Sequence, residues 1–196
     1  MDSYRSGILT SCKILAEDWR QDNVAIRASF IAESRAIGYR IMYDLHAHIL
    51  PGVDDGANTL DDAIEMARVA VASGTKTMLA TPHREDVNKN LSVSLVQSYL
   101  EDLNCELRKR KIELQILLGM ENHLDPELPA ELLNRRALSI NNSRYALVEL
   151  PFFGSPNYVD EVLFQLQLQG VTPVLAHPER IEMIQRNPEI LASFVE

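Results

Sequence analysis

The sequence predicts an α/β protein with a parallel sheet and helices outside it, open or closed into a barrel. Three observations carry that expectation. Short apolar runs alternate with segments of helical spacing from about residue 41 onward, Gly, Pro or capping residues punctuate the changes, and polar residues recur where the apolar runs stop. At 196 residues and 46% hydrophobic content, the chain is long enough for one sizeable core.

Residues 1–41 stand apart. Their apolar residues (Ile14, Leu15, Trp19, Val24, Ile26, Phe30, Ile31, Ile37) fit one or two weakly amphipathic helices at best, so this part reads as an extension of unknown role before a domain at 42–196. A strand is expected from Ile41 to Leu45. Thr59 then reads as a helix N-cap, with Asp61 and Asp62 in the first turn and Ile64, Ala67 and Val71 as an inward stripe ending at Ser73-Gly74. Lys76 to Thr81 is the next strand, closed by Pro82 just before His83. A helix from Ser92 to Lys109 carries Val93, Val96, Leu100, Leu103 and Leu107 at helical spacing. Strands at Ile112–Leu118, Arg144–Leu150 and Val171–Ala176 end near Glu121, Glu149 and His177, with helical segments at Pro126–Asn134 and Asn157–Gln169 between them.

The stretch from Asp44 to Gly56 places two histidines and three acids in thirteen positions. On a strand, His46 and His48 at i and i+2 share a face while Leu45 and Ala47 turn the other way. Two converging imidazoles suit Mn, Fe or Zn in a mixed nitrogen and oxygen shell, and Asp55, past the Pro51-Gly52 turn, is placed to fold back as a further ligand. A lone H-x-H fits an exposed strand end equally well. Six groups on five successive units do not: His46, His48, His83, Glu121, Glu149 and His177 all fall at or just past a strand's C-terminal end, where α/β barrels keep their chemistry.

Charge and cysteine usage exclude other classes. A net charge of −9 argues against nucleic acid or an anionic membrane as partner. No window approaches the roughly eighteen apolar residues of a membrane span, so neither membrane insertion nor export is expected and a cytoplasmic location is. Cys12 and Cys105 make neither a disulfide framework nor a C-x-x-C pair. A cysteine-dependent phosphatase loop, C-x5-R, is also excluded, because Asp18 and Lys111 occupy the sixth positions after Cys12 and Cys105.

Asp44-Leu45-His46-Ala47-His48, Val53-Asp54-Asp55-Gly56, Thr81-Pro82-His83-Arg84, Gly119-Met120-Glu121, Tyr145 to Leu150 and Ala176-His177-Pro178-Glu179-Arg180 resemble, in order and spacing, the manganese-dependent bacterial tyrosine-protein phosphatases of the polymerase and histidinol phosphatase (PHP) superfamily. That group is tied to capsular and exopolysaccharide synthesis. The resemblance implies a distorted, TIM-like (β/α) PHP barrel with a three-metal cluster, Mn first and Fe, Zn or Mg as alternatives, and hydrolysis by metal-bound hydroxide. The ligands it implies are His46, His48, Asp55, His83, Glu121, Glu149 and His177, with Arg180 as the phosphate-binding cation. The implied substrate is a phosphotyrosine protein, a bacterial tyrosine kinase of polysaccharide synthesis. The competing expectations are another phosphoesterase of the superfamily, histidinol-phosphatase-like, and an inactive fragment or binding module.

Two departures from the pattern shape further expectations. The family motif starts near an initiator methionine, matched here by Met42, which leaves residues 1–41 as an extension or upstream misread, dispensable for folding. The family's last motif, Asp-x-His, has no counterpart, since no Asp or His follows His177. A barrel of about 250 residues over eight units allows about thirty per unit, so the chain from Met42 supplies about five, and an incomplete barrel is expected. An unpaired parallel edge would favour association, including a homo-oligomer, and the shortened ligand set would hold fewer than three metals and turn over slowly.

Overall fold

The computed structural model describes residues 42–154 and 156–191; the N-terminal extension, with its apolar residues and Cys12, lies outside the described residues. Strand β1 (Met42–Ala47), helix α1 (Leu60–Ala72) and strand β2 (Thr75–Ala80) form the first unit. Helices α2 (Arg84–Asn90) and α3 (Val93–Lys109) lead to β3 (Gln115–Leu118) and a two-residue β4 (Asn122–His123). Helix α4 (Leu128–Leu133), strand β5 (Tyr145–Glu149), helix α5 (Val159–Leu168), strand β6 (Thr172–Leu175) and helix α6 (Glu182–Arg186) follow. Among the described residues every strand pairing is parallel, in two sheets ordered β1-β2-β3 and β4-β5-β6. An isolated parallel bridge pairs His83, after β2, with Glu121, before β4. The expected parallel α/β architecture is therefore present.

Local chemistry explains the elements. Thr59 and Asp62 make a reciprocal capping box at the start of α1, satisfying two amides that the first turn leaves without partners. Ala63, Ile64 and Ala67 form the buried stripe of that helix. Ser92 caps α3, whose last turn carries Arg108 and Lys109 against the negative end of the helix dipole. Strand β2 is buried at every position except Lys76, as a strand covered on both faces requires. One apolar cluster gathers Ile49, Leu50, Ile64, Val96, Leu103 and Met120, and a second gathers Leu124, Leu128, Val148, Val162, Leu166 and Ile181.

Some boundaries move for identifiable reasons. Strand β3 begins at Gln115, not Ile112, because Lys111 takes φ 55° and the Ile112 amide closes the end of α3 on the Leu107 carbonyl. Helix α2 was not anticipated, since its seven residues are too few to show a period. The expected third strand ends at Leu118, and pairing resumes at Asn122, whose fully buried amide bonds the carbonyls of Met120, Leu138 and Leu147 across the break. Among the described residues, no helix is long and apolar enough to cross a membrane.

Gly56 fixes how closely the first loop returns to β1. A Cβ there would lie 1.9 Å from the His48 carbonyl oxygen and 2.4 Å from its Cβ, so backbone must move to admit one. Gly56→Ala is expected to destabilise the chain by about 1–3 kcal/mol, the usual range for overpacking. Urea unfolding checks this, and a midpoint equal to wild type would show that the loop shifts freely.

Candidate metal centre

Strand alternation sends His46 and His48 to one side, while Ala47 between them is locked into the sheet by Thr81, which accepts the Ala47 amide at 3.1 Å and returns its own amide to the Ala47 carbonyl at 2.9 Å. The loop after Leu50 then folds back, with the Ala57 amide on the His48 carbonyl at 3.0 Å. That return carries two aspartates to the histidines with different tasks. Asp54, its side chain only 1% exposed, sets Oδ2 2.7 Å from His48 Nδ1 and accepts the His83 amide at 3.2 Å. Asp55 is 79% exposed, with Oδ1 3.6 Å from His83 Nδ1 and 4.0 Å from His48 Nδ1.

Glu121, 2% exposed, is the hub. Its Oε2 lies 3.0 Å from His46 Nε2, 3.2 Å from His48 Nε2 and 3.2 Å from His83 Nε2, and its Oε1 lies 2.7 Å from His177 Nε2. Glu149 joins from the end of β5, with Oε1 3.4 Å from His177 Nε2. Three donor groups result, each with its ligand atoms within 4.8 Å of one another: His48, Asp54, Asp55 and His83; His46, His48 and Glu121; and Glu121, Glu149 and His177.

These residues fit divalent cations. His46 Nε2 and His48 Nε2 lie 3.1 Å apart while facing the same carboxylate oxygen, a crowding that needs either protons or a shared cation between them. Imidazole and carboxylate without thiolate suit Mn, Fe or Zn. Asp54 supplies what a ligating imidazole requires on its other nitrogen, a carboxylate that fixes the ring and its tautomer.

The same contacts shift the titrations. Asp54, with Glu121 adding to it, pushes His48 up from 6.5 to about 10, and Glu121 raises His83. Burial alone would raise the carboxyl of Glu121, but hydrogen bonds from His46, His48 and His83 outweigh it and hold the group well below the usual carboxylate range. For Asp54 too, burial is outweighed, by the bond from His48, and the net shift is downward. A raised histidine stabilises the metal-free fold fully below its ordinary 6.5, and that contribution is lost as pH rises towards about 10. A depressed carboxyl stabilises above its ordinary value, 4.5 for Glu121, and is lost as pH falls below it. The metal-free chain is therefore expected to be most stable between about pH 4.5 and 6.5. Bound metal must displace the same protons, so the rise in Tm on adding Mn should grow with pH across 6.5 to 9. Thermal scans with and without Mn check both slopes; a metal-free Tm that climbs above pH 6.5 would contradict them.

Thus the structure brings together His46, His48, His83, Glu121, Glu149 and His177, with Asp55 at the rim. Arg180 lies in a 3-10 turn three residues after His177, its guanidinium carbon 4.9 Å above the Phe152 ring. Three residues were missed from sequence. Asp54 had no signal to separate it from Asp55. His123, whose Nδ1 lies 3.2 Å from Glu149 Oε2, follows Glu121 at i+2 and was legible by strand alternation; the contact raises its pKa. Buried Arg84 pairs with Asp125 and Glu131, partners more than forty residues away, which no local pattern announces.

The family described as capsular polysaccharide synthesis, CpsB/CapC, matches residues 42–196. Tyrosine-protein phosphatase YwqE of Bacillus subtilis is 44% identical over 156 residues, covering 79% of this chain and 61% of its own length. Tyrosine-protein phosphatase CpsB of Streptococcus agalactiae is 28% identical over 148 residues, covering 76% of this chain and 61% of its own. A chain from the crystal structures of YwqE from B. subtilis and CpsB from Streptococcus pneumoniae, unique metal-dependent tyrosine phosphatases, superposes with a TM-score of 0.72 at 42% identity, covering 79% of this chain and 62% of that one. The chain spans about six-tenths of the length of the curated relatives it matches.

Proposed function

Because the chain belongs to the capsular polysaccharide synthesis CpsB/CapC family, we propose that residues 42–196 carry the metal-binding and phosphate-binding part of a manganese-dependent protein-tyrosine phosphatase. The observation that carries this reading is the convergence of four imidazoles on the buried Glu121 carboxylate. His46, His48, Asp55, His83, Glu121, Glu149 and His177 would hold the ions. Divalent cations bound there supply an activated water and neutralise charge on the phosphoryl oxygens. Asp54 keeps His48 in one tautomer with Nε2 towards the cluster, and His123 braces Glu149. Arg180 offers a planar fork of N–H donors to the phosphoryl oxygens. No side-chain nucleophile enters this scheme, in keeping with the lack of a C-x5-R loop.

The two parallel sheets fit a segment of a distorted PHP barrel, a phosphotyrosine kinase of polysaccharide synthesis is the substrate, the cytoplasm is the compartment, and residues 1–41 are a separate extension. Names and structure of the relatives support the activity and metal dependence. The test is to load the 196-residue chain with Mn and assay a phosphotyrosine peptide beside histidinol phosphate. Hydrolysis of the peptide, lost with EDTA and in His46→Ala while the fold remains, is expected. Hydrolysis that survives exhaustive EDTA, or preference for histidinol phosphate, would overturn the reading.

A further inference from the structure

We propose that Phe152 is a positioning residue that holds Arg180 ready for phosphate, an inference that rests on the reading above. An arginine at a loop end has many rotamers, and a fork of donors recognises phosphate only when it is already aimed. A carboxylate partner would fix Arg180 but consume the N–H groups that phosphate needs. A ring beneath the guanidinium fixes it by its face and leaves the donor edge open. Phe152 provides that ring, 4.9 Å from the guanidinium carbon of Arg180.

The same ring also meets the metal centre. Phe152 stacks on His177 with centroids 5.6 Å apart and planes at 26°, and His177 Nε2 in turn contacts Glu121 and Glu149. The ring therefore sets the spacing between the phosphate cation and a metal-facing imidazole. Two backbone ties keep it there: the Glu182 amide donates to the Phe152 carbonyl at 2.9 Å, and the Gly154 amide donates to Glu182 Oε2 at 3.0 Å. Packing against the second apolar cluster asks only for an apolar side chain, which leucine supplies, whereas holding the guanidinium asks for an aromatic face. Phe153, next in the chain and 82% exposed, serves as a matched control.

The experiment measures inorganic phosphate binding to the Mn-loaded chain by calorimetry, and the Arg180 Nε–H resonance in the metal-free chain by NMR, for wild type, F152L, F152Y and F153L. Phosphate affinity is expected to fall about 3- to 30-fold in F152L, the fold-change a lost cation–π contact implies. F152Y should keep affinity within about twofold, F153L should match wild type, and metal content should be equal in all four. The Arg180 resonance should move in F152L and stay put in F152Y, through loss of the ring current. Unchanged phosphate affinity in F152L, or equal losses in F152L and F152Y, would overturn the role of Phe152 while leaving the phosphatase reading intact. A wild-type chain that binds Mn but no phosphate would overturn both.

Discussion

Glu121→Gln is expected to strip the centre of most of its metal and to reduce any phosphatase activity more than about 100-fold, since altering even an outer partner of a metal ligand costs about 10- to 100-fold. Glutamine keeps the size and shape, so packing around Met120 and Leu124 is undisturbed. It replaces one carboxylate oxygen with an NH2 group aimed at imidazole nitrogens whose lone pairs the cations need. The distances make the loss collective, because His46, His48 and His83 share Oε2 and His177 takes Oε1. Glu149→Gln should be milder, since its described partners in the centre are His177 and His123 alone. In the metal-free protein Glu121→Gln also removes the charge that helps raise His48 and His83, so the stability optimum near pH 5 to 6 should flatten. Metal analysis by inductively coupled plasma, with thermal scans at pH 5.5 and 8, reads both effects. A full metal complement in Glu121→Gln would show that the carboxylate is a structural acceptor and that the cations sit elsewhere.

How much of this was legible in the sequence depends on which interactions are local. The capping box at Thr59 and Asp62 spans three residues and was visible as a cap with acids behind it. The strand ends were visible because a parallel sheet points all its C-terminal edges one way, so His46, His83, Glu121, Glu149 and His177 share an end once the strands are identified. What stayed hidden is set by distance or by geometry finer than pattern. Asp54 and Asp55 are adjacent acids of identical composition, and only the fold of the loop onto His48 gives one the buried, orienting position and the other the exposed one. Helix α2 is too short to carry a period. The break between β3 and β4 rests on one buried asparagine amide bonding three carbonyls, two of them sixteen or more residues away. Nor does any local pattern show that the described strands group into two three-stranded sheets, or that His83 and Glu121 form an isolated bridge outside them.

Arg84→Met is expected to destabilise the chain by about 3 kcal/mol, the low end of the 3–5 kcal/mol typical when one partner of a buried pair is removed. The guanidinium, 4% exposed, bonds both Asp125 and Glu131, the latter at 2.8 Å, and donates to the His123 carbonyl at 3.2 Å. Its carboxylate partners keep 25% and 13% exposure, so water relieves part of the charge left behind, which is why the low end applies. Methionine fills much of the volume, so the loss reads the ion pairs and not a cavity. The pairs also bear on chemistry. The Arg84 amide donates to the Glu121 carbonyl at 3.0 Å and the Glu121 amide to the Pro82 carbonyl at 3.0 Å, so the residue after His83 is bonded both to Glu121 and to the loop that follows it. Loosening that joint lets His83 drift from Glu121, and the Mn-induced rise in Tm should shrink along with the stability. Arg84→Lys should recover little of either, because an ammonium on a flexible stem cannot serve two carboxylates and a carbonyl as a planar fork does. Urea unfolding with and without Mn separates the two consequences. A cost below about 1 kcal/mol, the range of an exposed ion pair, would show that the cluster is solvated and that the bridge between His83 and Glu121 holds without it.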